Sequence, residues 1–564
     1  MLNSSKRPVH SFLLLLTLSV IWFGAGCERS DTGTEAHAVS GSAAGHDSAA
    51  LSADGKPLGT VRLPTSCDAG VQADLERGLA LLHHMTYDQA ETVFRWAAET
   101  DPDCAIAYWG TAMTFVHPVW PDTVPDEKLI AGQELLDQAA AAQHSSERER
   151  AYIAALQAYY GDSGSEQQRL NRYADGWATV HRDYPDDPEA KLFYALALLA
   201  TASMSDKSYE KQQAAGALAE EVRAEIPGHP GAHHYIIHSY DSPPLAQRAL
   251  AAARSYGDLA PENSHALHMT SHIFTRRGLW ADSIDFNQRA ADASGDRTSA
   301  GMVSLHHLHA LDYLVYAHLQ TADDEAALEV LKQIEAMEPP YEKHSVTAYA
   351  FAALPARYAL ERQDWDAAAT VAVGWPDGVP WQKYPHLVAI QEFARALGAA
   401  RSGDLQAAES AINELATLQQ QAAALNSAYD WGIQVAIQKT GAEAWLRYGH
   451  GDVDQALDLM RQAAEMESST EKSPVTPGEV LPARELYGDM LLATGRYTEA
   501  QEQYEAALDR SPNRFNSLFG AGRAAELSGD QDTAASYYQQ LLEICADARG
   551  DRPHLDHARN SQGG

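Results

Sequence analysis

Basic residues are scarce in this chain. Lysine and arginine together number 42 against 77 aspartates and glutamates, a formal net charge of −35. Phosphate backbones are held by clustered cations, so the balance excludes nucleic acid as a main partner. An acidic body is not drawn to an anionic bilayer either. Cysteine is nearly absent: Cys27, Cys67, Cys104 and Cys545 are too few for a disulfide-built scaffold. Sustained alternation of apolar and polar residues is missing, which removes a sheet and with it a strand-based dinucleotide fold. There is no Gly-rich phosphate loop, no Gly-x-Ser-x-Gly, no paired Cys-x-x-Cys and no Cys-x-x-Cys-His for haem attachment. Only one run is apolar enough to enter a membrane.

That run lies at the amino terminus. Lys6 and Arg7 precede an apolar stretch from Phe12 to Phe23, followed by Gly24-Ala25-Gly26-Cys27. Basic residues, a short apolar run and small residues before a cut make a secretory signal rather than a spanning helix. The placement of Cys27 resembles a bacterial lipoprotein signal, although that family has Leu where Gly24 stands. The resemblance implies lipidation of Cys27 and a place in the bacterial cell envelope, facing the periplasm or the cell surface. Membrane contact is then expected only through this anchor. Residues 28–69, rich in Ser, Ala, Gly, Thr and Asp in their first half, read as a flexible tether. Export implies an oxidising compartment. Cys67 precedes the first helix of the first helical pair and Cys104 follows its second, so the two are expected to form a disulfide.

What the chain has in quantity is helix-forming sequence. Hydrophobic residues make up 45%, ample for a packed core. From about residue 70 Ala, Leu, Glu and Gln dominate, and apolar residues recur at spacings of three and four, the period of a helix. At ~150 residues per domain the length suggests three or four domains, but a repeat overrides that prior. Gly488, Gly495, Ala500 and Tyr504 return 34 residues later as Gly522, Gly529, Ala534 and Tyr538, with Pro512 between the two sets. The same grid fits Gly78, Ala90, Phe94 and Pro102, and further units at 230–263, 264–297, 308–341, 389–422 and 437–470. This pattern resembles the tetratricopeptide repeat, a helix–turn–helix unit of 34 residues. The resemblance implies an all-α fold: a right-handed superhelical solenoid of about twelve helix–turn–helix units over residues 70–548, with residues 549–564 as a disordered tail. It implies no particular reaction.

Histidine is the other excess. There are 24, and 11 of them lie between His229 and His318. His265, His268 and His272 share one helical face, and His234 and His238 stand 34 residues before His268 and His272, in the equivalent place on the neighbouring repeat. On the repeat grid these positions face the concave groove. Asp241 continues the first row; in the unit near 308 the corresponding residues are His309, Asp312 and Tyr316. Paired imidazoles with nearby carboxylates suit a divalent transition metal. Neither His-Tyr-Ile-Ile-His nor His-Met-Thr-Ser-His contains the Glu that makes such a pair proteolytic. The histidines are therefore expected to converge on one ion, on metal-free acid–base chemistry, or simply to line the groove. A second polar–aromatic patch, His83, Trp109 and His117, would join His265 and Tyr316 as groove residues for a ligand.

The phrases Cys104-Ala-Ile-Ala-Tyr-Trp-Gly, His233-His-Tyr-Ile-Ile-His and His265-Ala-Leu-His-Met-Thr-Ser-His-Ile-Phe are similar to a group of exported bacterial tetratricopeptide proteins. That resemblance supplies no catalytic residues. Two functions remain open on the sequence. One is an interaction scaffold holding a protein or peptide partner in its groove; the other is a metal-binding or metal-dependent catalytic protein built on the same solenoid.

Overall fold

The structure is a computed structural model and describes residues 50–120, 124–161, 164–425, 427 and 429–562. The signal segment, Cys27 and the first part of the tether lie outside the described residues. Among the described residues there are 25 α-helices and one short 3-10 turn, and the only extended pairings are isolated bridges. Consecutive helices pack as antiparallel neighbours, giving twelve helix pairs and a final helix, the α-solenoid that the repeat implies. No described helix is long and apolar enough to cross a membrane.

The recurring glycines and aromatics mark where the helices touch. A Cβ at Gly78 would sit 2.9 Å from the Phe94 ring; at Gly488, 2.8 Å from Tyr504; at Gly522, 2.7 Å from Tyr538. Each second-helix aromatic therefore lies on a bare patch of its own first helix. The next first helix closes over the same ring, with Gly110 against Phe94 and Gly520 against Tyr504. The turns follow the same economy. Gly403 and Gly529 end their helices with φ of 95° and 93°, a left-handed conformation that suits glycine. The following Asp404 and Asp530 then accept the N–H of Ala407 and Thr533 to cap the second helix.

Several expectations are corrected. The tether does not extend to residue 69, because Leu58, Val61 and Leu63 are buried in the core and the Thr60 amide donates to the Gly228 carbonyl. The carboxyl end is not a loose tail. Pro553–Gln562 is a helix with Leu555 and Ala558 buried, and Arg549 and Arg552 reach back to Asp323 and Asp324. The concave side is not an open groove either. Helix Gln72–His83 touches helix Pro230–Tyr240, and helix Leu305–Gln320 touches helix Phe515–Ser528. The second closure is pinned by Arg514, which is fully buried and binds Glu361, Glu485 and the Tyr316 hydroxyl. Trp280 Nε1 adds a hydrogen bond to the Asn513 carbonyl at 2.7 Å.

A strap of the chain's own backbone fills part of the remaining space. Residues 470–482, between helices Val453–Ser469 and Ala483–Ala493, are mostly buried. Glu471 accepts from Lys207 and Tyr209, Lys472 reaches Asp241 at 3.3 Å, and the carbonyls of Thr476 and Glu479 accept from Tyr313 and Arg357. Near the other end, a disulfide joins Cys67 to Cys104, with a Cα separation of 4.8 Å.

Candidate metal centre

The histidines sit on three successive first helices, Pro230–Tyr240, Ser264–Arg276 and Leu305–Gln320. The capping residues set the register between them. Asn263 caps the second helix by accepting the Ala266 amide, and Ser304 caps the third by accepting that of His307. These caps are 41 residues apart, seven more than the repeat period, so His306, His309 and Tyr313 follow His265, His268 and His272. Ring contacts agree: His268 lies 4.2 Å from His309, His272 stacks on Tyr313 at 5.0 Å, and His265 lies 5.9 Å from His306.

The expected register at 308 is thus displaced by three residues, and this removes Asp312 from the row. Asp312 faces Arg357, whose Nε is 4.0 Å away, and burial pushes its carboxyl up to about 6. Tyr316 belongs to the Arg514 knot. The second expected patch is interior as well. Trp109 is fully buried among Tyr152, Trp177 and Phe193. The ring of His83 donates to or accepts from Tyr235 and pairs with Glu189 at 2.7 Å, while His229 takes the other oxygen of Glu189 at 2.8 Å. Burial alone would raise Glu189, but these two imidazoles hold it well below the usual carboxylate range. His117 stacks on Tyr87 at 4.0 Å and bonds the Thr114 carbonyl that ends its own helix. Of the five residues expected to meet a ligand in the groove, only His265 stands at the histidine cluster.

The seven expected metal ligands do not meet at one point. Five of them fall into two histidine triads, His234 and His238 joined by the groove residue His265, and His268, His272 and His309; Asp241 and Asp312 belong to neither. Within each triad, a ligand nitrogen from every member lies within 4.8 Å of the others. Asp241 reaches the second triad only indirectly, through its bond to His272 rather than by facing the shared nitrogens.

Hydrogen bonds fix the ring protons of two members of the second triad, His268 and His272. Asn287 donates its amide to the Ser283 carbonyl at 2.7 Å, so its oxygen is the atom turned to His268 Nδ1, 2.8 Å away. That ring nitrogen must carry hydrogen. His272 Nδ1 stands 3.0 Å from Asp241 Oδ2. Burial opposes ionisation of Asp241, but Lys472 and Arg276 hold it well below the usual range, so it only accepts. His272 therefore also carries its hydrogen on Nδ1. The two Nε2 lone pairs then face each other at 3.1 Å. The Tyr313 hydroxyl does not relieve them. It lies 3.4 Å and 3.3 Å from the two ring nitrogens of His272, over the ring face, and its proton goes to Thr476. Burial, with neighbouring imidazoles, holds His268 and His309 well below their ordinary value, so a shared proton is disfavoured. Metal–nitrogen bonds of ~2.0–2.1 Å put two coordinated imidazole nitrogens ~3.0–3.4 Å apart, the spacing seen here. A ring N–H donated to a carboxylate or amide is also how metal-bound imidazoles are oriented.

Neither Asn287 nor the Lys472 strap carries a mark in the amino-acid string. His306 and Tyr313 were findable through the capping residue Ser304.

Comparison with known proteins supports the helical repeat. Residues 442–500 and 486–549 match the tetratricopeptide repeat family. The carboxyl-terminal part of the chain is built of tetratricopeptide repeats. No curated protein matches the sequence. Among solved structures, a human IFIT1 dimer with m7Gppp-AAAA is 12% identical over 86% of this chain and 92% of that one, with a TM-score of 0.35. Naa15/Naa10 bound to HypK-THB is 12% identical over 87% and 73%, with a TM-score of 0.24. The P58(IPK) TPR domain is 14% identical over 88% and 99%, with a TM-score of 0.20. Tetratricopeptide repeats are interaction scaffolds, and at these scores the neighbours add nothing about a site.

Proposed function

We propose that the protein is an exported, lipid-anchored tetratricopeptide scaffold of the bacterial cell envelope whose interior holds a late first-row transition-metal ion on His268, His272 and His309. The observation that carries the metal is the meeting of two Nε2 lone pairs in a buried site whose other ring hydrogens are already spent on Asn287 and Asp241. A cation between them removes the repulsion, and an all-imidazole donor set suits zinc, copper, nickel or iron over calcium or magnesium. Three protein ligands leave a fourth position for water or a small ligand. Export and anchoring rest on Lys6, Arg7, the apolar run and Cys27.

A protein partner is the second reading, and the matched repeats favour it. Such a partner meets the outer faces of the helices rather than the concave side, which the strap and the cross-groove contacts fill. Untagged protein stripped with chelator and dialysed against zinc tests the metal. The parent retains the ion at His268, and the His268→Ala, His272→Ala double variant loses it while keeping its helical signal. Equal retention by both would leave the scaffold reading alone.

A further inference from the structure

We propose that His234, His238 and His265 form a second, separate site for an ion of the same class. It stands on its own residues and shares with the first only the helix Ser264–Arg276. His234 Nδ1 is 2.6 Å from the carbonyl of His83, an acceptor, so that nitrogen carries the ring hydrogen. Its Nε2 lone pair faces His238 Nε2 at 3.0 Å, a separation that fits two donors on one ion. The third member supplies the independent observation. His265 is 5% exposed, and neither of its ring nitrogens has a hydrogen-bond partner among the described residues. A buried imidazole with both nitrogens unmatched loses the hydration it had in the unfolded chain and gains no hydrogen bond in return. Its ring centre lies 5.1 Å from that of His234, so coordination of an ion there satisfies one of the two nitrogens.

The two triads are not copies. The His234 triad takes two ligands from one helix and the third, His265, from the first turn of the next; the His268 triad takes its third ligand, His309, a turn further along. Helix Ser264–Arg276 therefore contributes to both from one face, His265 to one triad and His268 and His272 to the other. The donors of the proposed site are three neutral imidazoles, which again selects zinc, copper or nickel over hard cations. An indole marks the site: the Trp120 ring centre is 5.7 Å from that of His265.

Two readouts test this on the untagged full-length chain. Zinc dialysis of the stripped parent leaves two equivalents, and His265→Asn and His238→Gln each leave one. The His238→Gln variant guards against a folding defect, since His238 is only partly buried. Nickel titration quenches the fluorescence that the Trp120→Phe variant lacks, with the quenching retained in the His268→Ala, His272→Ala variant and lost in His265→Asn. One equivalent in the parent, kept in His265→Asn but lost in His268→Ala, His272→Ala, overturns the second site and leaves the first standing. One equivalent that every variant abolishes means a single shared ion and overturns it too. No equivalents in the parent overturns both.

Discussion

Asn287 decides which nitrogen of His268 carries the proton. Its amide nitrogen is tied to Ser283, so its oxygen has no choice but to accept from the imidazole. It touches no shared nitrogen of the triad, and it acts by orienting one. Replacing it by Leu keeps the volume and removes the acceptor, freeing His268 to move its hydrogen to Nε2, where it would block an ion. Loss of such an orienting partner costs ~10–100-fold in metal affinity. Competition with a chromophoric chelator should show a drop of that size for Asn287→Leu, and unchanged affinity would remove the tautomer argument. The histidine pairs themselves were legible in the sequence, because an i, i+4 spacing and a 34-residue offset are both visible in a string. Asn287 was not, since it stands 19 residues away on the other helix of its pair and resembles any polar helix residue. Asp312 leaves the expected row because the loop residues inserted before Ser304 carry no helical period from which the register could be read.

At the scale of the element, the glycine–aromatic grid sets how closely neighbouring helices approach. Tyr504 lies between Gly488 of its own pair and Gly520 of the next, and its hydroxyl donates to Asp489 at 2.6 Å. The ring cannot retreat without breaking that bond. Gly520→Ala therefore forces a methyl into the Tyr504 ring and should cost ~1–3 kcal/mol by overpacking, against the small gain that alanine brings to a helix interior. Urea unfolding measures it, and a stabilised variant would contradict the packing account. This part of the fold was readable because each glycine has a local job that repeats with the period. Residues 50–69 and 549–562 were not, because what orders them is distant: Thr60 binds Gly228, and Arg552 binds Asp324.

For the whole molecule, burial keeps many imidazoles in neutral form. Burial holds His84 at about 4, His386 at about 3 and His554 at about 4, all below the ordinary value of 6.5. The unfolded chain takes up these protons as pH falls through ~6.5, and the folded chain does so only near 4 and below. Stability contributed by neutral burial is thus present above pH ~6.5 and is lost as the pH falls toward 4. These three groups alone should cost ~3 kcal/mol between pH 6.5 and 5.5, read as a falling urea midpoint. A flat profile over that range would mean the histidines are hydrated. Closure of the concave side left no trace in the sequence: Arg514 and Glu361 are 153 residues apart, and Lys472 of the strap and Asp241 are 231 apart. A regular repeat predicts neighbours, and these contacts lie beyond them.

The central claim is a cation between His268 and His272. The most direct measurement is an anomalous difference map from crystals of the zinc-loaded full-length chain, collected on either side of the zinc edge. The account predicts a peak ~2.0–2.1 Å from His268 Nε2, His272 Nε2 and a nitrogen of His309. A map with no peak there, and the two Nε2 atoms still about 3.1 Å apart, would contradict it.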